Sequence, residues 1–415
     1  SPTVAHNLSL SAPGLTVTQA IFGDRNLGAI GNLTLSSTGG VNLGGNAHAI
    51  AGTFTADVNG ALTFRNTRGF SLGAISTRVG ATRISTDTGD IVVTGAVTPS
   101  GDLMLIAGET GRRVLNGADD GLGDIRISGG SVTLAGGARG LLYTGILSNS
   151  TGLGGVVPVG RSRYYIDTVN GYSDATALPT GSGLFALFRE QARARLLATL
   201  SDGVTTYDGK SHAGAFQVTG LSMGDTTTTP AVTSIKDMSG ATVSGVTGAG
   251  AYTFLADASA LSDLRALGYS VNDQAVFTLN RAPLTLTYTA NAATSVYGQP
   301  LAAVSGAVTG SGFVNDETLA VLGGAAAWST AATAGSGTGS YAVTGGGLTS
   351  GNYLITAQQA AGNSSAYTLT RALLTITGAT TSQRYNGATQ INGFSVTSGQ
   401  LFYADRIDSL TGLAT

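Results

Sequence analysis

The chain has 415 residues, of which 63 are glycine and only 11% are charged, and its formal net charge is −2. One hydrophobic core rarely serves a chain of this length, so we expect two to four domains or one repetitive solenoid. Lys210 and Lys236 are its only lysines. The charge pattern therefore provides no basic stripe for nucleic acid or for an anionic membrane.

The residue types that are missing narrow the possible chemistry. Without cysteine the chain can form no disulfide, thiolate metal site or cysteine nucleophile. No run approaches the roughly 20 apolar residues that cross a bilayer. Because Ser1 begins no signal segment either, we expect no membrane insertion and a mature or excised chain. Short β-branched runs between Gly, Asn and Asp predict an all-β protein.

A short phrase that combines a turn with a strand recurs over residues 1–140. Four copies read GNLTL, GDIVV, GDLML and GDIRI, at 31–35, 89–93, 101–105 and 123–127. The apolar residues alternate, as Leu33 and Leu35 do, so one face of each strand is expected to be buried. Strands this short gain a shared core only by stacking. We therefore predict a right-handed parallel β-helix over 1–170, with roughly eight turns of about 20 residues.

An antiparallel sandwich is the alternative for this region, because its strands would show the same spacing. The phrase recurs without the two-residue Asn-Gly turns that are typical of hairpins. This difference favours the solenoid.

The stretch RRVLNGADDGLGD concentrates charge in one Gly-rich segment. Its charged residues are Arg112, Arg113, Asp119, Asp120 and Asp124. β-Helical polysaccharide lyases and hydrolases set carboxylates beside basic residues, so a catalytic site is one possibility, and calcium binding to an oxygen-rich loop is another. Because the segment has the character of an insertion between coils, we expect instead a solvated turn whose carboxylates cap loop N–H groups.

The remaining candidates for chemistry are three histidines. His6, His48 and His212 lie in separate contexts, with no i, i+4 pairing and no companion acids. We therefore expect exposed or turn histidines rather than a zinc site. The chain also lacks a G-x-S-x-G elbow, a P-loop and a dinucleotide fingerprint. We assign no catalytic, metal or cofactor residues and expect that the protein is not an enzyme and needs no cofactor.

Residues 171–192 are predicted to form a transition between two regions. The stretch LFALFREQARARLLATL, 184–200, places apolar residues at helical spacing. This pattern predicts an amphipathic helix of three to four turns. A short helix here would cap the open end of the solenoid and shield its last strand edge.

A longer repeat follows the transition. The form R-A-x-L recurs, a tyrosine turn follows it, and a Val-Thr pair comes eleven residues after each tyrosine. The repeat positions are Arg193, Tyr207, Arg281, Tyr297, Arg371 and Tyr385. We predict modules at 193–280 and 281–370, and the start of a third, truncated module at 371–415. Because no linker separates them, we expect the modules to form a stiff, elongated rod.

Side-chain roles inside the modules follow from the same alternation. Leu284, Leu286 and Tyr288 should be buried, while the threonines between them face outward. The repeated tyrosines suggest a ladder of sugar-stacking rings, but their equal spacing favours rings that pack on their own module and hydroxyls that fix a turn. Trp328 is either partly buried core or an exposed contact.

Several stretches resemble the repeat regions of filamentous haemagglutinin-like adhesins, which are exoproteins of bacterial two-partner secretion. They are GVTTYDGKSHAG at 203–214, the VYGQPL and GFVNDE segments of the second module, the GDIVVTG coils and GLLYTGILSNSTGLGGV at 140–156. The modules resemble those named YDG and MBG. The resemblance implies export through an outer-membrane transporter, a location at or beyond the bacterial surface, and adhesion to cells, biofilm matrix, polysaccharide or a protein receptor.

The resemblance also bears on the transition and on the ends of the chain. It implies a strand rather than a helix over 184–200. The secretion domain that such proteins carry at their N terminus is not recognisable, so we expect an interior or C-terminal piece.

Three functions remain open at this level. The first is a non-catalytic surface adhesin or matrix scaffold, and the second is a β-helical carbohydrate-active enzyme with accessory modules. The third is a self-associating fibre subunit, because an uncapped solenoid end or an unpaired module edge can template another chain.

Overall fold

A computed structural model describes residues 7–13, 15–16, 31–111, 114–115, 121–166, 178–378, 384 and 393–407. Regular structure in these ranges is almost entirely β, which confirms the predicted all-β class. The described helices are α1 (Ser262–Ala266) and short 3₁₀ segments at Leu153–Gly155, Ala258–Leu261, Leu319–Val321 and Ala361–Ser365. None of these helices is long and apolar enough to cross a membrane.

The first part of the chain contributes short strands that stack in parallel sheets. They are β1 (Leu8–Ala12), β2 (Leu15–Thr16), β3 (Leu33–Ser37), β4 (Val41–His48), β5 (Thr53–Val58), β6 (Leu62–Asn66), β7 (Phe70–Thr77), β8 (Thr82–Thr86), β9 (Ile91–Val93), β10 (Ala96–Pro99), β11 (Leu103–Ile106), β12 (Val114–Leu115), β13 (Ile125–Ile127), β14 (Ser131–Val132), β15 (Arg139–Thr144), β16 (Ser162–Arg163), β17 (Gly183–Phe188) and β18 (Glu190–Gln191).

Two eight-stranded sheets contain most of these strands. One has the order β1-β3-β5-β7-β10-β14, with β9 beside β7 and β13 beside β9, and the other has the order β2-β4-β6-β8-β11-β15-β17-β16. Neighbouring strands are parallel, and the partner of a residue lies about 20 positions along the chain. Leu33 pairs with Phe54, and Val41 pairs with Leu62. The chain thus alternates between two parallel stacks with the predicted repeat length.

The core of this region lies between the two stacks. Leu33 and Leu35 are each 1% exposed, as their alternation in the sequence predicts. Phe54 and Phe64 come from opposite sheets, and their rings stack with centroids 4.1 Å apart. Phe70 packs edge-on against Phe64. Apolar side chains from successive strands therefore form one continuous column.

The regular repeat is interrupted where the charged Gly-rich segment was found. Val97 pairs with Val132, 35 positions along the chain, because extra residues enter between the coils. Asp124 is buried and accepts hydrogen bonds from the N–H of Ile146 (2.7 Å) and the hydroxyl of Ser150 (3.1 Å). This carboxylate therefore caps loop donors as predicted, but its burial shows that the predicted solvated turn is wrong for Asp124. Arg112, Arg113, Asp119 and Asp120 lie outside the described residues.

The helix that the apolar spacing predicts over 184–200 is wrong, and the strand that the resemblance implies there is confirmed. The described part of the transition forms β17 and β18, and the following residues form another strand, Arg195–Leu200. Strand β17 lies between β15 and β16, and its residues 184–188 are all buried. A strand that is covered on both faces is apolar at consecutive positions. In the sequence, such a run cannot be distinguished from a buried helix by its periodicity. The edge expected to need a helical cap is covered instead by β16.

The contacts of Arg189 explain why this charged residue ends the apolar run. Its side chain is fully buried, and the guanidinium donates hydrogen bonds to the backbone carbonyls of Ala107 (2.6 Å) and Gly123 (2.8 Å). A helical pattern would place this arginine on the solvent face. In the structure it ties the last coil to the insertion.

The second part of the chain forms smaller sheets. Its strands are β19 (Arg195–Leu200), β20 (Gly214–Thr219), β21 (Val232–Lys236), β22 (Thr242–Val243), β23 (Gly250–Ala256), β24 (Gln274–Leu279), β25 (Ala282–Ala290), β26 (Ala293–Val296), β27 (Gly306–Ser311), β28 (Gly323–Thr330), β29 (Gly339–Tyr341), β30 (Val343–Thr349), β31 (Tyr353–Gln359), β32 (Tyr367–Thr370), β33 (Thr375–Gly378) and β34 (Phe394–Ser398). The sheet orders are β19-β20, β22-β21-β23-β24, β27-β25-β31, β26-β32-β29, β28-β30 and β33-β34.

The three copies of the repeat share one local plan. In each, the strand after R-A-x-L pairs antiparallel with the strand that carries the Val-Thr pair, as β19 with β20, β25 with β27 and β33 with β34. Leu284, Leu286 and Tyr288 are buried, as predicted. Trp328 is partly buried, with its ring edge-on to Tyr288 at 5.8 Å. One cluster of buried hydrophobic residues runs from Leu33 to Tyr353 and joins the parallel stacks to both complete modules.

Candidate functional site: tyrosine–carboxylate joints

A buried carboxylate lies at the joint between the parallel stacks and the first module. Oδ2 of Asp225 accepts hydrogen bonds from the hydroxyls of Tyr164 (2.8 Å) and Tyr269 (2.9 Å). Tyr164 directly follows β16, whereas the other two residues belong to the module. The two rings meet at 4.7 Å, and all three side chains are buried. The joint therefore combines an apolar contact with two directional hydrogen bonds.

The joint between the first and second modules has the same chemistry. Oε1 of Glu317 accepts a hydrogen bond from the hydroxyl of Tyr207 (2.6 Å), and Oε2 accepts one from Tyr353 (2.5 Å). Tyr207 belongs to the first module, and its partners belong to the second. The two rings meet edge-on at 5.5 Å. One acid is thus shared by a tyrosine of its own module and a tyrosine of the preceding module.

A similar aromatic contact lies at the joint between the second and third modules. The ring of Tyr297 packs edge-on against Phe402 (6.1 Å) and Tyr403 (6.0 Å). Burial and the nearby Asp405 carboxylate raise the pKa of this tyrosine. Tyr297 belongs to the second module, and these neighbours belong to the third.

The same loop geometry places all three acids. Two residues before each acid, a non-glycine residue has a positive φ: Met223 at 53°, Asn315 at 50° and Tyr403 at 52°. Such residues are uncommon, and they persist where the surrounding contacts determine them. In the first two joints the N–H of the preceding residue, Ser222 or Val314, donates to the tyrosine of the same module at 2.8 and 3.0 Å. Contacts within its own module therefore position the acid, and the tyrosine of the neighbouring module binds to an acid that is already in place.

The protonation states suit this arrangement over a wide pH range. Burial, together with the hydrogen bond to Glu317, raises the pKa of Tyr207 to about 12. Burial is also the main cause of the raised pKa values of Tyr164, Tyr269 and Tyr353. The phenols therefore remain protonated donors at neutral pH.

Two further contacts fix the orientation of the second module on the first. The side-chain oxygen of Asn352 accepts a hydrogen bond from the N–H of Ala249 (3.0 Å). The amide of Asn315 donates to the carbonyl of Gly209 (3.0 Å). Contacts at separate points around Glu317 restrict rotation of one module relative to the other.

The predicted repeat positions have different places in these joints. Arg193, Arg281 and Arg371 are exposed, Tyr207 is buried, Tyr297 is half-buried, and Tyr385 lies outside the described residues. The prediction that the tyrosine hydroxyl fixes a turn of its own module is wrong for Tyr207, whose hydroxyl reaches Glu317 of the next module. The ring of Tyr297 contacts the next module as well. Thr206 bridges to Asn280 at the end of the module, and this pairing brings the tyrosine turn to the boundary.

The acids themselves were not identified from the sequence. Asp225, Glu317 and Asp405 follow their Val-Thr pairs by seven to nine residues. An acidic residue at nearly constant spacing in three copies is the signal that was available. Their tyrosine partners were harder to predict from the sequence, because Tyr164 and Tyr269 lie 61 and 44 residues from the acid that they share.

The described histidines are buried, so the prediction of exposed or turn histidines is wrong for them. His48 is 1% exposed, and its ring is stacked at 5.9 Å on Phe64. Both ring nitrogens of His212 are occupied, Nδ1 by Asp202 at 2.7 Å and Nε2 by Asp208 at 2.8 Å. These acids lie ten and four residues upstream of His212, so the expectation of no companion acids is also wrong for this histidine. His6 lies outside the described residues.

Comparison with known proteins assigns part of the second module. Residues 286–363 match the MBG domain (YGX type), and the type designation fits the turn at Tyr297, Gly298 and Gln299. No curated protein and no solved structure matches the chain significantly. The chain therefore contains an MBG domain, placed between two of the tyrosine–carboxylate joints.

Proposed function

We propose that the protein is a fragment of a secreted bacterial surface adhesin or matrix scaffold, which acts as a stiff, non-catalytic shaft. The observation that carries this proposal is the repeated joint, in which Asp225 and Glu317 each accept a hydrogen bond from the preceding unit and Asp405 lies near Tyr297 of the preceding unit. A device that holds successive units in fixed orientation is what a projecting structure requires. The MBG domain is consistent with an adhesin-like surface protein.

We infer that the two parallel stacks are faces of a right-handed β-helix and that the modules continue it as a rod. The repeat of about 20 residues and the continuous interior column support the solenoid. The joints that link successive units, each with an acid that accepts from the unit before it, support an elongated shape.

The proposed partners follow from the resemblance to two-partner-secretion adhesins. An outer-membrane transporter would export the chain, and the exported chain would bind a polysaccharide, a glycan or a protein receptor at the cell surface or in the biofilm matrix. Coil-by-coil stacking supports this route, because each coil can fold on the one before it as the chain emerges. Association of chains into fibres through exposed strand edges is part of the same proposal.

Two measurements on the purified chain test the proposal. The chain is passed over immobilised bacterial and host polysaccharides, and the eluate is assayed for new reducing ends and unsaturated products. We expect retention without product, together with a solution-scattering profile of a rod. Release of sugar products, or the scattering of a compact globule, would contradict the proposal.

A further inference from the structure

The first module has an open strand edge at a position where the second module has a strand. In the second module β25 lies between β27 and β31, and it pairs with β31 over seven residue pairs, from Ala282–Tyr353 to Tyr288–Gln359. In the first module β19 occupies the place of β25 and pairs with β20. On its other side a single bridge joins Arg193 to Ser270. Beyond that bridge, no described strand pairs with this edge of β19.

A length difference between the modules accounts for the missing strand. The aromatic pair Tyr353 and Tyr367 is separated by 14 positions, whereas the corresponding pair, Tyr269 and Phe277, is separated by 8. The difference of six residues is close to the seven residues of β31. In the first module the chain passes directly into β24, which pairs with β23 instead.

The missing strand leaves a groove of about 410 Å³ between β19 and β24. It is lined by residues 193–198 on one side and by Ser270, Asn272 and 274–276 on the other. Leu197 and Val276 are 49% and 64% exposed.

The backbone of β19 faces this groove. The N–H of Ala194 donates to Ser270 on the groove side, away from β20. Backbone groups of alternate residues point to the same edge of a strand, so the N–H and C=O groups of Leu196 and Ala198 also point into the groove. The groove therefore offers strand-pairing groups to a further segment.

The charge around the groove selects the kind of segment that fits. Arg193 and Arg195 are the charged residues of its lining, which contains no acid. Arg195 occupies the position of Pro283, which pairs with the exposed Leu354 of β31. A segment that runs as β31 does would therefore place an outward side chain beside Arg195. A carboxylate there would complement the arginine.

We propose that this groove binds an extended acidic peptide segment of a partner protein, which adds to β19 as a parallel strand. Main-chain hydrogen bonds to Leu196 and Ala198 hold the segment, and its outward carboxylates meet Arg195. The second module shows the same kind of site with its own strand in place. This interaction is independent of what the shaft itself adheres to.

A labelled peptide with the apolar pattern of β31 tests the proposal with the full chain. The probe is YEIEAEQ, in which the outward positions that correspond to 354, 356 and 358 are glutamate, and the control probe YKIKAKQ carries lysine there. We expect fluorescence anisotropy to show binding of the acidic probe alone. Hydrogen exchange at Leu196 and Ala198 should slow when that probe binds, since an added strand protects those amides.

Charge reversal distinguishes this site from other surfaces. Arg195 is exposed, so a chain with Arg195→Glu should fold normally. We expect this substitution to weaken binding of the acidic probe by about tenfold or more. Arg281→Glu, in the module that has its own strand, should leave binding unchanged. The proposal is overturned if neither probe binds, if Arg195→Glu binds as well as the wild type, or if binding leaves the two amides unprotected. Concentration-dependent self-association that Arg195→Glu abolishes would also overturn it, because the occupant would then be a second copy.

Discussion

Replacing Glu317 with glutamine tests how strongly one acid holds two modules together. The carboxylate accepts phenolic hydrogen bonds at 2.6 Å from Tyr207 and at 2.5 Å from Tyr353. Glutamine keeps the size of the side chain, but its NH₂ group cannot accept from a phenol, so one hydroxyl loses its acceptor. A hydrogen bond to a charged group contributes about 1.5–3 kcal/mol. We expect Glu317→Gln to lower the free energy of unfolding by about that amount.

A double-mutant cycle with Tyr207→Phe isolates the contact across the joint. If Tyr207 and Glu317 interact directly, the double variant should lose less stability than the sum of the single variants, with a coupling of about 0.5–3 kcal/mol. Trp328 is the only tryptophan and packs against Tyr288 in the second module. Its fluorescence during urea unfolding therefore reports on the module that carries the acid.

Tyr341→Phe is the matched control, because it removes a hydroxyl bonded within the second module. That hydroxyl donates to the carbonyl of Gly337 at 2.6 Å and is exposed. We expect this variant to change stability little and to show no coupling to Glu317. Additive losses for Tyr207→Phe and Glu317→Gln, or equal effects of Tyr207→Phe and Tyr341→Phe, would refute the assigned role of the joint.

The same joint should weaken in strong alkali. The pKa of Tyr207 rises from 10.0 to about 12 because of burial and the hydrogen bond to Glu317. The protonated phenol therefore contributes stability that is fully present below about pH 10 and is lost as the pH approaches 12. Tyr207→Phe should reduce this alkaline loss when unfolding is measured across that range.

The remaining predictions concern a glycine at the first joint and a buried histidine. A Cβ on Gly268, where φ is +96°, would lie 1.9 Å from the carbonyl oxygen of Tyr164, so Gly268→Ala should destabilise the chain by about 3 kcal/mol or more in thermal unfolding followed by circular dichroism. Gly240→Ala has a similar φ of +82° with no atom nearby and should cost only about 1 kcal/mol. The hydrogen bond that His212 donates to Asp202 raises the pKa of the histidine above 6.5, so its contribution to stability is present below that pH and is lost as the pH rises through the raised value. The loss should be absent in His212→Gln, and an unchanged pH dependence in that variant would count against the assignment.

The parts of the fold that depend on local periodicity were accessible from the sequence. The alternation of Leu33 with Leu35 and of Leu284 with Leu286 predicted which faces are buried, because a strand turns alternate side chains to opposite faces. The spacing of the Gly phrase predicted the length of one step along the stack. These features need only residues that are close in the chain or a repeat that is visible by eye.

The parts that depend on distant partners were not accessible in this way. The spacing of the buried run before Arg189 predicted a helix, because neither the strands beside it nor the carbonyls that accept from the guanidinium lie near it in the sequence. The joints present the same difficulty, since Glu317 meets Tyr207 across 110 residues. Repeat spacing marked the tyrosine, but only the structure identified its acceptor.

The direction of the joints has a consequence for how such a chain can grow. A module carries its acceptor acid on the side that faces the preceding module, as Glu317 shows, and its donor tyrosine on the side that faces the next module, as Tyr207 shows. The contact is therefore head-to-tail, and each added module presents a new donor after using its own acceptor. A heterologous contact of this kind generates an open chain wherever successive rotations do not close a ring. Modules of this type can consequently be added one after another, with each joint held by the same tyrosine and acid.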